Sequence, residues 1–310
     1  MAKTIRDVYG ESLVKYGATD DRIIVLDADV SNSTKSIIFG KEFPDRFFNV
    51  GIAEANMAAM AAGFAACGKI PFINTFATFL NTLGLLSARI YGSYSNWNMK
   101  FMGAYGGVSD SFDGPTHHSI EDITIFRSLP NFQVLVATDA RHTAWLVKNA
   151  IDHDGPMYIR LSRNAVPDVY DDNATFTPGK GNILREGDDV TIIACGLMVK
   201  EALDAAETLA GQGISARVVD MFSIKPIDTQ LIVDSAKKSK LIVTAEEHSI
   251  IGGLGGAVAE VLSANGCGVK QAFVGLNDVH AETGPTDTLM KKYGLSAENI
   301  MTQTLKGLGR

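Results

Sequence analysis

The chain is poor in cysteine, modest in charge and without a basic surplus, and each shortage closes off a class of function. Its three cysteines, Cys67, Cys195 and Cys267, stand far apart in apolar or glycine-flanked settings. They lack disulfide or metal spacing, so the expectation is three small buried residues rather than a scaffold or a nucleophile. Charged residues make up 20% of the chain against 46% hydrophobic, a globular and core-rich balance. A net charge of -7 argues against nucleic acid or an anionic membrane as partner. It leaves open a small anionic ligand, which needs only local positive charge. The N-terminus, MAKTIRDVYG, lacks the apolar core of a signal peptide, which points to a cytoplasmic protein. No P-loop lysine motif, low-complexity segment or clear internal repeat is present. The 310 residues suggest roughly two domains.

What is present is a regular alternation. Residues 5–16 have helical spacing and stop at Gly17, and 22–29 (RIIVLDAD) is a short apolar run ending in acids. A polar loop, 31–34, and a short strand, 47–50, follow. Strands at 71–76, 100–107, 133–138 and 157–162 alternate with helices at 80–90, 119–127 and 140–151. This reads as a mostly parallel sheet covered on both faces. The pattern lapses into proline, aspartate and glycine from 163 to 188, then resumes with strands at 190–194, 216–221, 241–244 and 269–274 and intervening helices. We therefore expect two three-layer α/β domains, at 1–172 and 189–310, with a linker at 173–188.

Between the second and third strands lies GIAEANM, in which Glu54 opens an uncharged helix over about 53–67. A segment this apolar on all sides is expected to be buried, yet it is too short to span a membrane. Taken alone, Glu54 reads as an acid complementing the helix dipole. The alternative is a carboxyl in an apolar pocket that handles a proton.

Ligands in open parallel sheets bind beyond the carboxyl ends of the strands. There the sequence places Asp27, Asp29, Ser33, Glu54, Phe76, Phe79, Tyr105, Asp113, His117, His118 and Arg163. In Asp113-Gly-Pro-Thr-His117-His118, a tight turn sets an acid and an imidazole four residues apart. Read alone, this is as well a solvated loop as a site. The adjacent histidines lack a third ligand at metal spacing, so no metal residues are assigned. Arg163, just past a strand, is suited to phosphate or to an ordinary salt bridge. Phe76 and Phe79 alone read as core. The run Gly252-Gly253-Leu254-Gly255-Gly256 comes late and has no following acid at dinucleotide distance, so it reads as close packing or a subunit contact.

In order and spacing, LDADVSNSTKS, PDRFFNVGIAEANM, INTFATF, DGPTHHSIEDITIFRSLPN and IRLSR resemble the transketolase pyrimidine-binding domain. VVDMFSIKPID and VTAEEHSIIGGLGGAVAE resemble the transketolase C-terminal domain. The resemblance covers essentially the whole chain. It implies thiamine diphosphate as cofactor, with Glu54 on the aminopyrimidine ring nitrogen, favouring the tautomer that takes the thiazolium proton. It implies Phe76 and Phe79 as the aromatic pocket and Asp29 as an acid near cofactor and subunit interface. His117 would be a catalytic proton shuttle, Asp113 would read a substrate hydroxyl, and Ser33 and Arg163 would hold a distal phosphate. Tyr105 stands where many members have a substrate-contacting histidine, and Thr82 near where some have a further aromatic. No role carries over to His118.

No Gly-Asp-Gly metal-and-diphosphate segment occurs in the chain. The resemblance thus implies the β-type subunit of a split transketolase, assembled as α2β2 with a separate N-terminal diphosphate-binding subunit. That partner would hold most of the Mg2+ or Ca2+ contacts. The implied reaction moves a two-carbon ketol unit from a ketose phosphate to an aldose phosphate. The alternatives are another thiamine-dependent ketol transferase or synthase, acting on an unusual sugar phosphate or resembling 1-deoxyxylulose-5-phosphate synthase, or a non-catalytic regulatory half.

Overall fold

A computed structural model describes residues 4–310. Strands β1 (Ile23–Asp27), β2 (Phe47–Asn49), β3 (Ile70–Phe76), β4 (Lys100–Ala104), β5 (Gln133–Val136) and β6 (Met157–Leu161) build the first sheet. A second sheet is formed by β7 (Asn182–Arg185), β8 (Val190–Ala194), β9 (Ala216–Asp220), β11 (Leu241–Ser249) and β12 (Lys270–Leu276). The short β10 (Ser223–Lys225) comes from the second half of the chain but joins the first sheet, antiparallel to β5. The orders are β10-β5-β6-β4-β3-β1-β2 and β12-β11-β8-β9-β7, parallel throughout except at the β10–β5 and β7–β9 pairs. The expected class, two α/β domains with mostly parallel sheets, is the one observed.

Strands β1, β3, β4 and β6 are buried at every position, as befits strands covered on both faces. Register sets the functional edge. Phe76, Ala104 and Leu161 lie abreast on β3, β4 and β6, so the chain leaves all three strands at one level. Strand β1 lies between β2 and β3, the two strands that follow it, so the chain turns back across β1 and opens a crevice beyond the strand ends.

Helix Ile5–Gly17 starts at an N-cap, Thr4, whose side chain accepts from Asp7 N. Helix Ala140–Asp152 starts at Asp139, which accepts from His142 N at 2.8 Å. The same carboxylate accepts from Val169 N and Tyr170 N, anchoring the chain after β6. Asp220, at the end of β9, accepts from Thr138 Oγ1 at 2.6 Å and from Tyr170 OH at 2.7 Å, tying the two halves together.

Four expectations are corrected. Residues 31–34 form a short helix, not a loop. The helix expected at 80–90 is broken into Ala77–Thr82, Leu85–Ser87 and the wider-wound Ala88–Tyr94, because Gly84 interrupts the run. The stretch read as linker contains β7, an edge strand whose mixed polar sequence hid it. Of the cysteines only Cys195 is buried, while Cys67 is exposed and Cys267 half-buried.

Helix Glu54–Ala66 is the fifth correction. Met57, Ala58, Ala61 and Ala62 are buried against the first sheet, but Ala55, Asn56, Ala59, Met60 and Gly63 face outward. Nearby, Ile52 is 84% exposed, Leu86 68% and Tyr94 88%. The composition demanded burial, and this chain supplies it on one side only.

Candidate active site

Glu54 is the first residue of its helix and is 4% exposed. Thr75 Oγ1, one residue before the end of β3, lies 3.5 Å from Glu54 Oε1. The carboxylate therefore sits at the helix N-terminus, where the dipole favours negative charge, but also inside the crevice. The position thus matches the helix-dipole reading and also places the carboxylate in an enclosed setting.

Next to it the aromatic residues gather. Phe76 stacks on Tyr105 with ring centroids 4.7 Å apart and 15° between planes. Phe79 lies 5.9 Å from Phe76, and His117 meets Phe76 and Phe79 edge-on at 5.9 and 5.3 Å. These are attractive ring geometries. The structure thus brings together, from the ends of β3 and β4, the two phenylalanines, the tyrosine and the histidine singled out from the sequence. Tyr105 has φ +61°, a left-handed conformation costly for an aromatic residue. The Phe76 stack and a hydrogen bond from Arg6 hold it there.

Arg6 was not found by sequence reasoning. It lies on the first helix, with nothing in its spacing to single it out. Its Nη1 donates to Tyr105 OH at 2.7 Å and to the backbone oxygen of Ser33 at 2.6 Å. Its guanidinium sits 5.0 Å from the Tyr105 ring, and that of Arg163 sits 5.2 Å from the same ring. Two cations therefore bracket one tyrosine beside Ser33, making local positive charge in an acidic protein.

Arg163 is not free: its Nη1 pairs with Asp110 at 3.0 Å. Asp110 is buried, and burial followed by the neighbouring Asp113 pushes its carboxyl up to about 7 against the pull of Arg163. Asp113 itself is exposed at the loop tip, and His117 is half-buried with Nδ1 3.0 Å from Thr116 Oγ1. His118 is 3% exposed; burial lowers its pKa, helped by His117 and His280, against a raising interaction with the Asp110 backbone.

Asp29 stands apart from the aromatic cluster. It is exposed, with φ +64°, and accepts from Asn49 Nδ2 at 2.8 Å. Asp27 is spent on structure, accepting from Val30 N, Thr34 Oγ1 and Ser36 Oγ. The late glycine run is also structural. The Glu246 carboxylate accepts from Leu254 N at 2.7 Å and Gly255 N at 2.8 Å at the start of helix Leu254–Ala264. A Cβ on Gly253 would stand 2.1 Å from Glu246 Oε2, so that glycine is required by close packing, whereas a Cβ on Gly256 would meet open space.

Two family models match this chain: the transketolase pyrimidine binding domain over residues 1–169 and the transketolase C-terminal domain over residues 179–300. The chain belongs to the transketolase family. A putative transketolase C-terminal section from Methanocaldococcus jannaschii is 45% identical over 307 residues, covering 98% of this chain and 96% of that protein. The 6-deoxy-6-sulfo-D-fructose transketolase subunit SqwH of Clostridium sp. (strain MSTE9) is 43% identical over 297 residues, covering 96% and 92%. A solved structure described as a split gene transketolase, inactive beta4 tetramer, superposes with a TM-score of 0.90 at 46% identity and covers 98% of both chains. By contrast, this chain spans 48% of the human transketolase, to which it is 38% identical. It is thus similar in length to split transketolase subunits and to about half of an undivided one.

Proposed function

We propose that this chain is the β-type subunit of a two-chain, thiamine-diphosphate-dependent transketolase that passes a two-carbon ketol unit from a ketose phosphate to an aldose phosphate. The observation that carries the reading is the line of groups along the carboxyl edge of the first sheet. Glu54 lies at one point, the Phe76–Phe79–Tyr105–His117 rings beside it, and the Arg6–Arg163 pair at Tyr105.

These residues fit the cofactor's pyrimidine. Glu54 is nearly enclosed and has one long hydrogen bond from Thr75, so its carboxylate retains acceptor capacity for a ring N–H. Phe76 and Phe79 offer apolar faces to a flat heterocycle. When bound, thiamine diphosphate supplies the carbanion-stabilising centre that carbon–carbon cleavage and formation require. Glu54 holds the aminopyrimidine in its proton-accepting form, and the enclosed setting strengthens that contact. His117, with a neighbouring hydroxyl and two aromatic edges to orient it, moves a proton at the substrate oxygens. Asp113 reads a substrate hydroxyl. Arg163, Arg6 and Ser33 bind the anionic end of the sugar, and Asp29 lies toward the subunit boundary.

The diphosphate and its Mg2+ or Ca2+ fall to an N-terminal partner subunit, since no Gly-Asp-Gly segment occurs here. The exposed apolar face of Ile52, Met60, Leu86 and Tyr94 supports burial against further subunits in an α2β2 assembly, which we place in the cytoplasm. A second reading, favoured by Tyr105 with its two flanking arginines, is an unusual anionic sugar as substrate. The experiment is to co-express the chain with a diphosphate-binding partner and screen ketol donors and acceptors. The chain alone is expected to bind thiamine diphosphate weakly and to turn nothing over. Robust transfer without a partner would overturn the split reading.

A further inference from the structure

The substrate loop of the first domain is closed and held by the second. Gly107 N donates to Ser119 O at 2.8 Å and Ser119 N donates to Gly107 O at 2.9 Å, so the chain meets itself at a neck. Everything between, including Asp110, Asp113 and His117, is a compact loop with close ends. Arg160 Nη2 donates to Ser119 O at 3.1 Å and to the backbone oxygen of Glu247 at 2.7 Å. Glu247, from β11 of the second domain, accepts from Val108 N at 2.8 Å through Oε1. The fit is close: Gly107 has φ +71°, and a Cβ there would stand 2.3 Å from Glu247 Cδ. Burial pushes the Glu247 carboxyl up to about 7, with Arg160 pulling the other way.

The far side of the loop is gripped as well. Gly284 N donates to Ser111 O at 3.0 Å, and Thr286 Oγ1 donates to Ser111 Oγ at 2.9 Å. His118, at the end of the loop, is buried near the Asp110 backbone and His280.

We propose that the second domain sets the substrate-binding geometry of the first, with Glu247 and Thr286 as positioning residues that seat the 107–119 loop and so aim Asp113 and His117. Neither residue touches the reacting atoms; each acts through the loop. The proposal rests on the reading of the site given above.

The test uses the assembled two-chain enzyme. Glu247→Ala removes the acceptor from Val108 N, whereas Glu247→Gln keeps an oxygen in its place. Thr286→Val removes one hydroxyl at nearly constant shape. Glu247→Ala is expected to raise the KM for the sugars by about tenfold or more, because small misplacements of positioned groups are costly. The fall in kcat should be smaller, and thiamine diphosphate affinity should stay within about twofold. Glu247→Gln should restore the KM to within about threefold, since an amide oxygen accepts the same hydrogen bond. An unchanged KM in Glu247→Ala, or equal damage in both variants, overturns the proposal. If Glu247→Ala fails to fold, Thr286→Val decides by the same readout. Amide hydrogen exchange across 105–119 in the chain itself gives a measure independent of turnover. Faster exchange confined to that loop in Thr286→Val supports the clamp, and unchanged exchange overturns it even if no ketol transfer is found.

Discussion

Asp220 offers a prediction whose size follows from the fold. It is wholly buried, with Thr138 Oγ1 and Tyr170 OH donating to Oδ2 and, among the described residues, no partner at Oδ1. Burial pushes its carboxyl up to about 7 despite those two donors. Because the folded value is raised, the folded state keeps a proton that the unfolded chain surrenders near 4. Stability is therefore lost as pH rises from about 4 through about 7, and the loss levels off above that. With an unfolded value of about 3.9, the limiting cost grows from about 0.5 kcal/mol at pH 4 to about 4 kcal/mol at pH 8. Asp220→Asn removes the titration, and its amide oxygen keeps both donors. The variant should therefore gain stability over the original chain from pH 4 to about pH 7, with little further gain above that. Urea unfolding of the two proteins across that range measures the difference, and the shared pH dependence of every other group cancels. A difference that stays flat with pH would refute the argument, since Asp220 would then titrate alike in both states.

The site gives further predictions. Glu54→Ala should leave folding and subunit assembly nearly intact while lowering turnover at least about a hundredfold, measured as ketol transfer by the assembled enzyme. Near-normal activity would remove Glu54 from the mechanism. Arg6→Met should weaken kcat/KM for a phosphorylated or sulfonated sugar by about tenfold to a hundredfold, the worth of a charge-assisted hydrogen bond, and leave an uncharged sugar nearly unaffected. Equal losses on both sugars would assign Arg6 to support of Tyr105 alone. Leu86→Asp, on the exposed apolar face, should shift sedimentation toward smaller species without changing the far-UV spectrum. Leu26→Ala, at a wholly buried position of β1, should cost about 2–5 kcal/mol in urea unfolding.

Much of the architecture was legible because its signals are local. Runs such as RIIVLDAD and MYIRLS are short, apolar and rich in β-branched or aromatic residues, and they alternate with helical stretches at βαβ spacing. That pattern leads to parallel strands with polar residues at their carboxyl ends, and Phe76, Tyr105, His117 and Arg163 do converge there. The broken helix after Ala77 and the edge strand β7 were not legible, because a glycine and a weakly patterned edge are decided by their neighbours. The outward face of the Glu54 helix shows a different limit. Composition says that alanine and methionine want cover, but not whether this chain or another provides it.

By itself, the sequence determined the class of fold, the division into two α/β halves and the residue types at the mouth of the first sheet. These depend on periodicity and on turn chemistry, which neighbouring residues carry between them. Only the tertiary structure decided that Arg6 of the first helix reaches Tyr105, that β10 crosses to the first sheet, and that Glu247 holds the neck of a loop in the other half. Such contacts depend on strand order and on how the halves seat against each other, and residues so far apart leave no local pattern.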